Sequence, residues 1–162
     1  MAILQFSHSK IISRGSELFN LLNVLRFKSK HIVFTNGCFD ILHRGHIQYL
    51  AKAKEQGDIL LIGLNTDESV KKLKGQDRPL QDQDTRALIL ASLFFVDCVV
   101  HFGEETPYQL IKEVQPDVLV KGSDYKPEDI VGYDIVTQKG GEVKTIDFFE
   151  GQSTTRIIQK MG

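Results

Sequence analysis

Apolar residues change period repeatedly along this chain, and the two periods alternate. Over 16–27 they fall at Leu18, Leu21, Leu22 and Leu25, a helical spacing with Ser16 placed to cap it. Ile32, Val33 and Phe34 then form a short unbroken run, which predicts a first buried strand. Over 45–55 the helical spacing returns with Ile47, Leu50 and Ala51 inward, and Gly57 is expected to end that helix as its left-handed residue. The stretch 58–64, with Ile59, Leu60, Leu61 and Ile62 in sequence, predicts a second strand buried on both faces.

The alternation continues to the end of the chain. A helix is predicted over 84–95 and a strand over 96–101. Thr106 as cap and Pro107 in the first turn then open a helix to Val114. A strand over 117–120 follows, then a looser helix over 130–138, a turn at Gly140 and Gly141, and a strand over 142–146. Ser153 is placed to cap a last helix ending near Met161. The only long irregular stretch expected is 74–82. Strands alternating with helices predict an α/β fold, a Rossmann-like doubly wound parallel sheet of five strands with helices on both faces. The 162 residues are expected to form one domain, with 1–30 as an N-terminal extension holding one helix. In such folds ligands bind beyond the carboxyl ends of the strands, at the switch point of the winding.

Composition narrows the chemistry. A net charge of −1 provides no general field for a polyanion, and no basic patch or aromatic ladder interrupts the pattern, which argues against nucleic acid as a partner. No apolar run is long enough to span a bilayer and no secretory leader is recognisable, so a cytoplasmic protein is expected. Cys38 and Cys98 stand sixty positions apart without a CxxC spacing, which fits a reducing compartment.

The segment Thr35-Asn36-Gly37-Cys38-Phe39-Asp40-Ile41-Leu42-His43-Arg44-Gly45-His46 carries the most chemistry. It runs from the first strand through a small-residue turn and delivers two histidines to the start of a helix. A helix start presents unpaired N–H groups and a partial positive charge, and so attracts phosphate. Histidines stand where a P-loop would carry Lys-Ser/Thr, which points to nucleotidyl transfer at an α-phosphate rather than γ-phosphate hydrolysis. No GxGxxG follows the strand, which argues against a dinucleotide-binding dehydrogenase. At i and i+3 the two histidines share one helix face and could begin a zinc site. His8, His31 and His101 sit at unrelated positions, however, so no residue is assigned to a metal. Either histidine could donate a hydrogen bond when neutral or when charged.

Gly37-Cys38-Phe39-Asp40 followed by His43-Arg44-Gly45-His46 resembles the HxGH signature of the nucleotidyltransferase superfamily, in its cytidylyltransferase-like branch. Two further motifs arrive in order: Lys121-Gly122-Ser123-Asp124-Tyr125 after the fourth strand, and Gly151-Gln152-Ser153-Thr154-Thr155 at the last helix. Within the branch the chain looks most like the adenylyltransferases that activate D-glycero-β-D-manno-heptose 1-phosphate, through 33–40, 63–67, 119–122, 129–132 and 140–143. It departs from them at Ser123, where a second glycine is usual, and at Arg156, where a neutral residue is common.

The resemblance implies transfer of AMP from ATP to the sugar phosphate, with Mg²⁺ held mainly by phosphate oxygens and water. His43 and His46 would be catalytic. Asn36, Gly37, Cys38, Phe39, Lys121, Asp124, Ser153, Thr154 and Thr155 would hold the nucleotide. Lys74, Arg78 and Arg86 would grip substrate phosphates, and Asp40 would orient a histidine or a sugar hydroxyl. Cys38 would serve through its size and backbone N–H, not as a nucleophile. Small molecules are the expected partners. Members of the branch are often homodimers, and the apolar stretch 88–95 suits either an interface or a buried helix. Two alternatives stand beside this reading: a cytidylyltransferase acting on glycerol 3-phosphate or a similar small phosphate, and a non-catalytic nucleotide-binding module.

Overall fold

The computed structural model describes residues 2–147. Five strands, β1 (Ile32–Gly37), β2 (Ile59–Asn65), β3 (Cys98–Phe102), β4 (Val118–Gly122) and β5 (Glu142–Ile146), form one sheet. Their order is β3-β2-β1-β4-β5 and every pairing is parallel. Winding proceeds outward from β1 to β3, then returns across the sheet to β4, so the switch point lies between β1 and β4. This is the doubly wound architecture that the alternating periods predict.

The helices are α1 (Ile3–His8), α2 (Ser16–Phe27), α3 (Arg44–Lys54), α4 (Asp67–Lys74), α5 (Gln83–Ser92), α6 (Tyr108–Val114) and α7 (Tyr133–Gln138). On one face of the sheet Leu18, Leu22, Ile111 and Val136 pack against Phe34, Leu61, Val100 and Leu119. On the other, Leu50, Ala53, Ala87 and Leu90 cover Val33, Leu60, Ile62 and Val99. β1 to β4 are thus buried on both sides, which explains why the sequence shows runs there rather than alternation, while β5 at the sheet edge stays partly exposed. The outer edge of β3 is closed by residues 10–12: Val99 N–H donates to the Lys10 carbonyl and Ile12 N–H to the Val99 carbonyl. No helix among the described residues is long and apolar enough to cross a membrane.

Several local expectations are corrected. Residues 1–30 hold two helices, α1 and α2. Gly15, not Ser16, occupies the cap position of α2, with φ of 95°. Gly57 is not in the left-handed region. It is glycine because a Cβ there would lie 2.8 Å from Val33 Cγ2 and 2.9 Å from the His31 carbonyl. α5 starts one residue earlier than expected and ends at Ser92. Asp82 caps it by accepting the Thr85 N–H. Pro107 holds the cap position of α6, so Thr106 does not. The helix expected over 130–138 is a 3-10 turn (Pro127–Asp129) followed by the shorter α7, the two being separated by Gly132 at φ 91°. α4 is an element that the apolar pattern does not predict. Val70 is its one buried apolar residue, and its start is fixed by Thr66, whose hydroxyl accepts the Ser69 N–H.

Candidate active site

A cavity of about 300 Å³ opens where the sheet winding reverses, at the carboxyl ends of β1 and β4. Asn36, Gly37, Cys38 and Phe39 contribute one wall, and Lys121, Gly122 and Asp124 the opposite one. His46 and Tyr49 of α3 and Lys74 of α4 complete it. A larger hollow of about 780 Å³ lies along α2, lined by Leu18, Phe19 and Leu22. None of the motif residues lines it, so size alone does not identify a site here.

The histidines are arranged by the start of α3. His43 sits at the cap position in an extended conformation, and its Nδ1 accepts the Gly45 N–H at 3.1 Å. A ring nitrogen that accepts is unprotonated, so the neutral ring carries its proton on Nε2. His46, one turn on, stacks on His43 with ring centroids 3.9 Å apart and meets the edge of Phe39 at 5.3 Å. Burial lowers the pKa of His43. It pushes His46 down to about 4, helped by the neighbouring His43 and by Lys74 and opposed by the Ile41 carbonyl. Residue type leaves open whether these rings are neutral or charged, and burial decides it: at neutral pH, without ligand, both are neutral.

Between β1 and α3 the chain turns sharply. Phe39 adopts φ of 45° and is buried, its ring lying against Gly37, where a Cβ would stand 3.0 Å from the ring. The thiol of Cys38 is raised by burial, with Lys74, Arg86 and Lys121 pulling the other way. It therefore stays protonated at neutral pH, as a small packing residue does and a nucleophile does not. Lys121 reaches along the cavity with Nζ 3.5 Å from the Asn36 carbonyl. Burial lowers its pKa, Asp124 opposing. The Oδ1 of Asn36 is enclosed without a donor among the described residues.

Three expected phosphate or substrate groups are placed otherwise. Asp40 is 1% exposed and its carboxylate accepts from Arg78 Nε at 2.6 Å, Leu80 N–H at 2.8 Å and Gln81 N–H at 3.1 Å. It pins the 78–81 loop to the end of β1, at the border of the same cavity. Arg78 donates its Nε–H to that carboxylate and is largely buried, with its Nη2 enclosed and without an acceptor among the described residues. Arg86 is sealed in the core, donating to the carbonyls of Gln81 and Cys38 and to Asp67 Oδ1. Three of its five N–H donors are held by protein, and the side chain has no exposed surface to offer a phosphate. Of the three expected grips only Lys74 faces the cavity. Ser153, Thr154 and Thr155 lie outside the described residues.

Tyr49 is a site residue to which the motifs do not point. Its hydroxyl bonds Thr35 Oγ1 at 2.7 Å and donates to the Val120 carbonyl at 3.1 Å, joining β1 to β4 under the cavity floor. A signal for it does exist in the sequence: Tyr49 follows His46 by three positions and so shares its helix face.

Known proteins carry the same pattern. The family described as cytidylyltransferase-like matches residues 34–160. A bifunctional protein HldE from a Nitratiruptor species is 60% identical over 137 residues, covering 85% of this chain and 29% of the relative. One from Wolinella succinogenes is 52% identical over 155 residues, covering 96% and 32%. The chain therefore spans about a third of the length of these relatives. Among solved structures, a lipopolysaccharide core biosynthesis protein from Thermoplasma volcanium superposes with TM-score 0.59 at 28% identity, over 76% of this chain and 99% of that one. A pantoate-beta-alanine ligase from Francisella tularensis shares the fold at TM-score 0.61 and 19% identity, over 85% of this chain and 67% of that one. With the turn, the stacked histidines and the β1/β4 cavity all inside the matched region, the chain belongs to the cytidylyltransferase-like family.

Proposed function

We propose that the chain is a nucleotidyltransferase that transfers AMP from ATP to D-glycero-D-manno-heptose 1-phosphate, giving ADP-heptose and pyrophosphate. The observation that carries this reading is the stacked, neutral histidine pair at the start of α3, whose His46 lines the cavity at the switch point. The sugar phosphate oxygen attacks the α-phosphorus in line, the bond to the β-phosphate breaks, and pyrophosphate leaves. Charge builds on the equatorial oxygens and the leaving group, so fixed donors are what the reaction needs from the protein.

His43 donates from Nε2, the nitrogen that its bond with Gly45 leaves protonated, and His46 beside it is proposed to give up the Ile41 carbonyl and turn its single N–H to the phosphate. The partial positive charge at the start of α3 and the ammonium groups of Lys74 and Lys121 complete the positive lining. Ser153, Thr154 and Thr155 are proposed to take the β- and γ-phosphates. No group of three or more His, Cys, Asp or Glu that could hold a metal occurs among the described residues. A Mg²⁺ ion is proposed to be carried mainly on triphosphate oxygens and water, where it would neutralise the leaving group. The adenine donor and heptose acceptor rest on the motif resemblance and on the likeness to the HldE proteins and the lipopolysaccharide core protein. ATP as donor implies action in the cytoplasm.

The test is pyrophosphate release with Mg²⁺ and either ATP or CTP, against both anomers of the heptose 1-phosphate and against glycerol 3-phosphate. Turnover confined to ATP and a heptose phosphate supports the proposal and identifies the anomer. Turnover with CTP and glycerol phosphate keeps the site and replaces the substrates. Nucleotide binding without turnover in any combination leaves a binding module. In an active protein, Asn at both 43 and 46 is expected to abolish turnover; undiminished turnover would remove the histidines from the mechanism.

A further inference from the structure

Arg86 is the largest fully buried side chain among the described residues, and one of its contacts is to the loop that ends β1. Its guanidinium donates Nη1–H to the Cys38 carbonyl at 2.6 Å, Nε–H to the Gln81 carbonyl at 3.0 Å and Nη2–H to Asp67 Oδ1 at 2.7 Å. The Cys38–Phe39 peptide is trans. In a trans peptide the carbonyl and the N–H point in opposite directions. With the carbonyl drawn inward to Arg86, the Phe39 N–H is turned outward, on the side of the chain away from the guanidinium. That N–H has no acceptor among the described residues. Most buried backbone donors are paired, and Phe39 also holds a positive φ that residues with a side chain seldom adopt. An unpaired donor on a strained residue lining the cavity is a donor kept for something that binds there.

We propose that Arg86 is a positioning residue for nucleotidyl transfer: through the Cys38–Phe39 peptide it aims the Phe39 N–H at a phosphate oxygen of the nucleotide. This rests on the function proposed above. Arg86 touches no substrate; it acts on the reaction only by fixing which way one peptide group faces. Its shape suits the task. Three acceptors arrive from three separate segments, at 38, 67 and 81, and a planar fork of five donors meets them, where a single ammonium does not. Asp40 laces the same two loops from the other side through the Leu80 and Gln81 N–H groups. The peptide is therefore fixed before any ligand enters, which is the condition for electrostatic stabilisation without reorganisation.

The sequence makes this peptide observable by itself. Cys38-Phe39 is the only Cys–Phe pair in the chain, Cys98 being followed by Val99. Protein carrying ¹³C-carbonyl cysteine and ¹⁵N-phenylalanine therefore shows one carbonyl-linked amide peak. Mg-ATP is expected to move that amide proton downfield in the unaltered protein. In Arg86→Lys and Arg86→Gln the peak is expected to broaden or double before ATP is added, and to move less than half as far afterwards. Turnover is expected to fall about a hundredfold, the cost of a small misplacement, with KM for both substrates held within about threefold.

Both variants are expected to fold, since the carboxylate of Asp67 is 31% exposed and can turn to water when its partner is lost. The arm on the unaltered protein stands without either of them. An ATP response elsewhere in the spectrum that leaves the Cys–Phe peak still overturns the positioning role alone. So does an equal ATP shift in variant and parent, or variants that only melt earlier at unchanged turnover. A parent that neither responds to ATP nor releases pyrophosphate overturns the functional reading, and this inference with it.

Discussion

Replacing His46 by Gln is expected to flatten the acid side of the stability profile. Burial against His43 and Phe39 lowers the ring from its ordinary value of 6.5 to about 4. Between those values the unfolded chain holds a proton on this ring and the folded chain does not, so stability falls as pH drops through the window from 6.5 to 4. The full shift corresponds to about 3 kcal/mol, of which about 2 kcal/mol is lost between pH 7 and pH 4.5. At a urea dependence of about 2 kcal/mol per molar, that is a fall of about 1 M in the unfolding midpoint. Carboxylates with lowered pKa, such as Asp117 and Glu104, add their own acid loss to both proteins. The quantity to read is therefore the difference between the parent's fall and that of His46→Gln. Urea titrations at the two pH values supply it, and the ¹H shift of the His46 ring titrates the group directly. Equal falls in the two proteins, or a ring titrating at 6 or above in the ligand-free chain, would refute the argument that desolvation governs this site.

Three further outcomes are expected. Tyr49→Phe removes the hydroxyl bridging Thr35 and Val120 and leaves a buried carbonyl under-satisfied; it should cost about 1–3 kcal/mol in urea unfolding. Asp40→Asn leaves Arg78 opposite a neutral amide that cannot accept all three bonds. It should destabilise the fold by about 3 kcal/mol and raise the protease sensitivity of the 78–81 loop, which limited proteolysis reads. Gly63→Ala places a Cβ 2.9 Å from Phe34 Cζ and 3.1 Å from Leu110 Cδ2, between the sheet and α6; the overpacking should cost about 1–3 kcal/mol and lower the melting temperature, with the histidine site unaltered.

The order of strands and helices was readable because it depends on local period. Runs such as Ile59 to Ile62 have only one comfortable place, between two helical layers, and the turn from β1 to α3 carries its own punctuation at Gly37 and Gly45. Elements held by few apolar contacts escaped that reading. α4 has one buried apolar residue and α1 is a six-residue helix packed on α5, so neither imprints a period.

For the site, residue type announced the histidines and Lys121, because a helix start beside a switch point favours anions wherever it occurs. Sequence could not say where a charge is spent. Asp40, Arg78 and Arg86 have the types that substrates attract, yet Asp40 and Arg78 hold each other across 38 positions, and Arg86 is held by Cys38 and Asp67, 48 and 19 positions away. The neutral state of His46 is likewise a matter of burial, set by a ring stacked on it and another against its edge. Period and residue type are properties of neighbours along the chain. Desolvation and the choice of hydrogen-bond partner belong to neighbours in space, and exist only once the chain has packed.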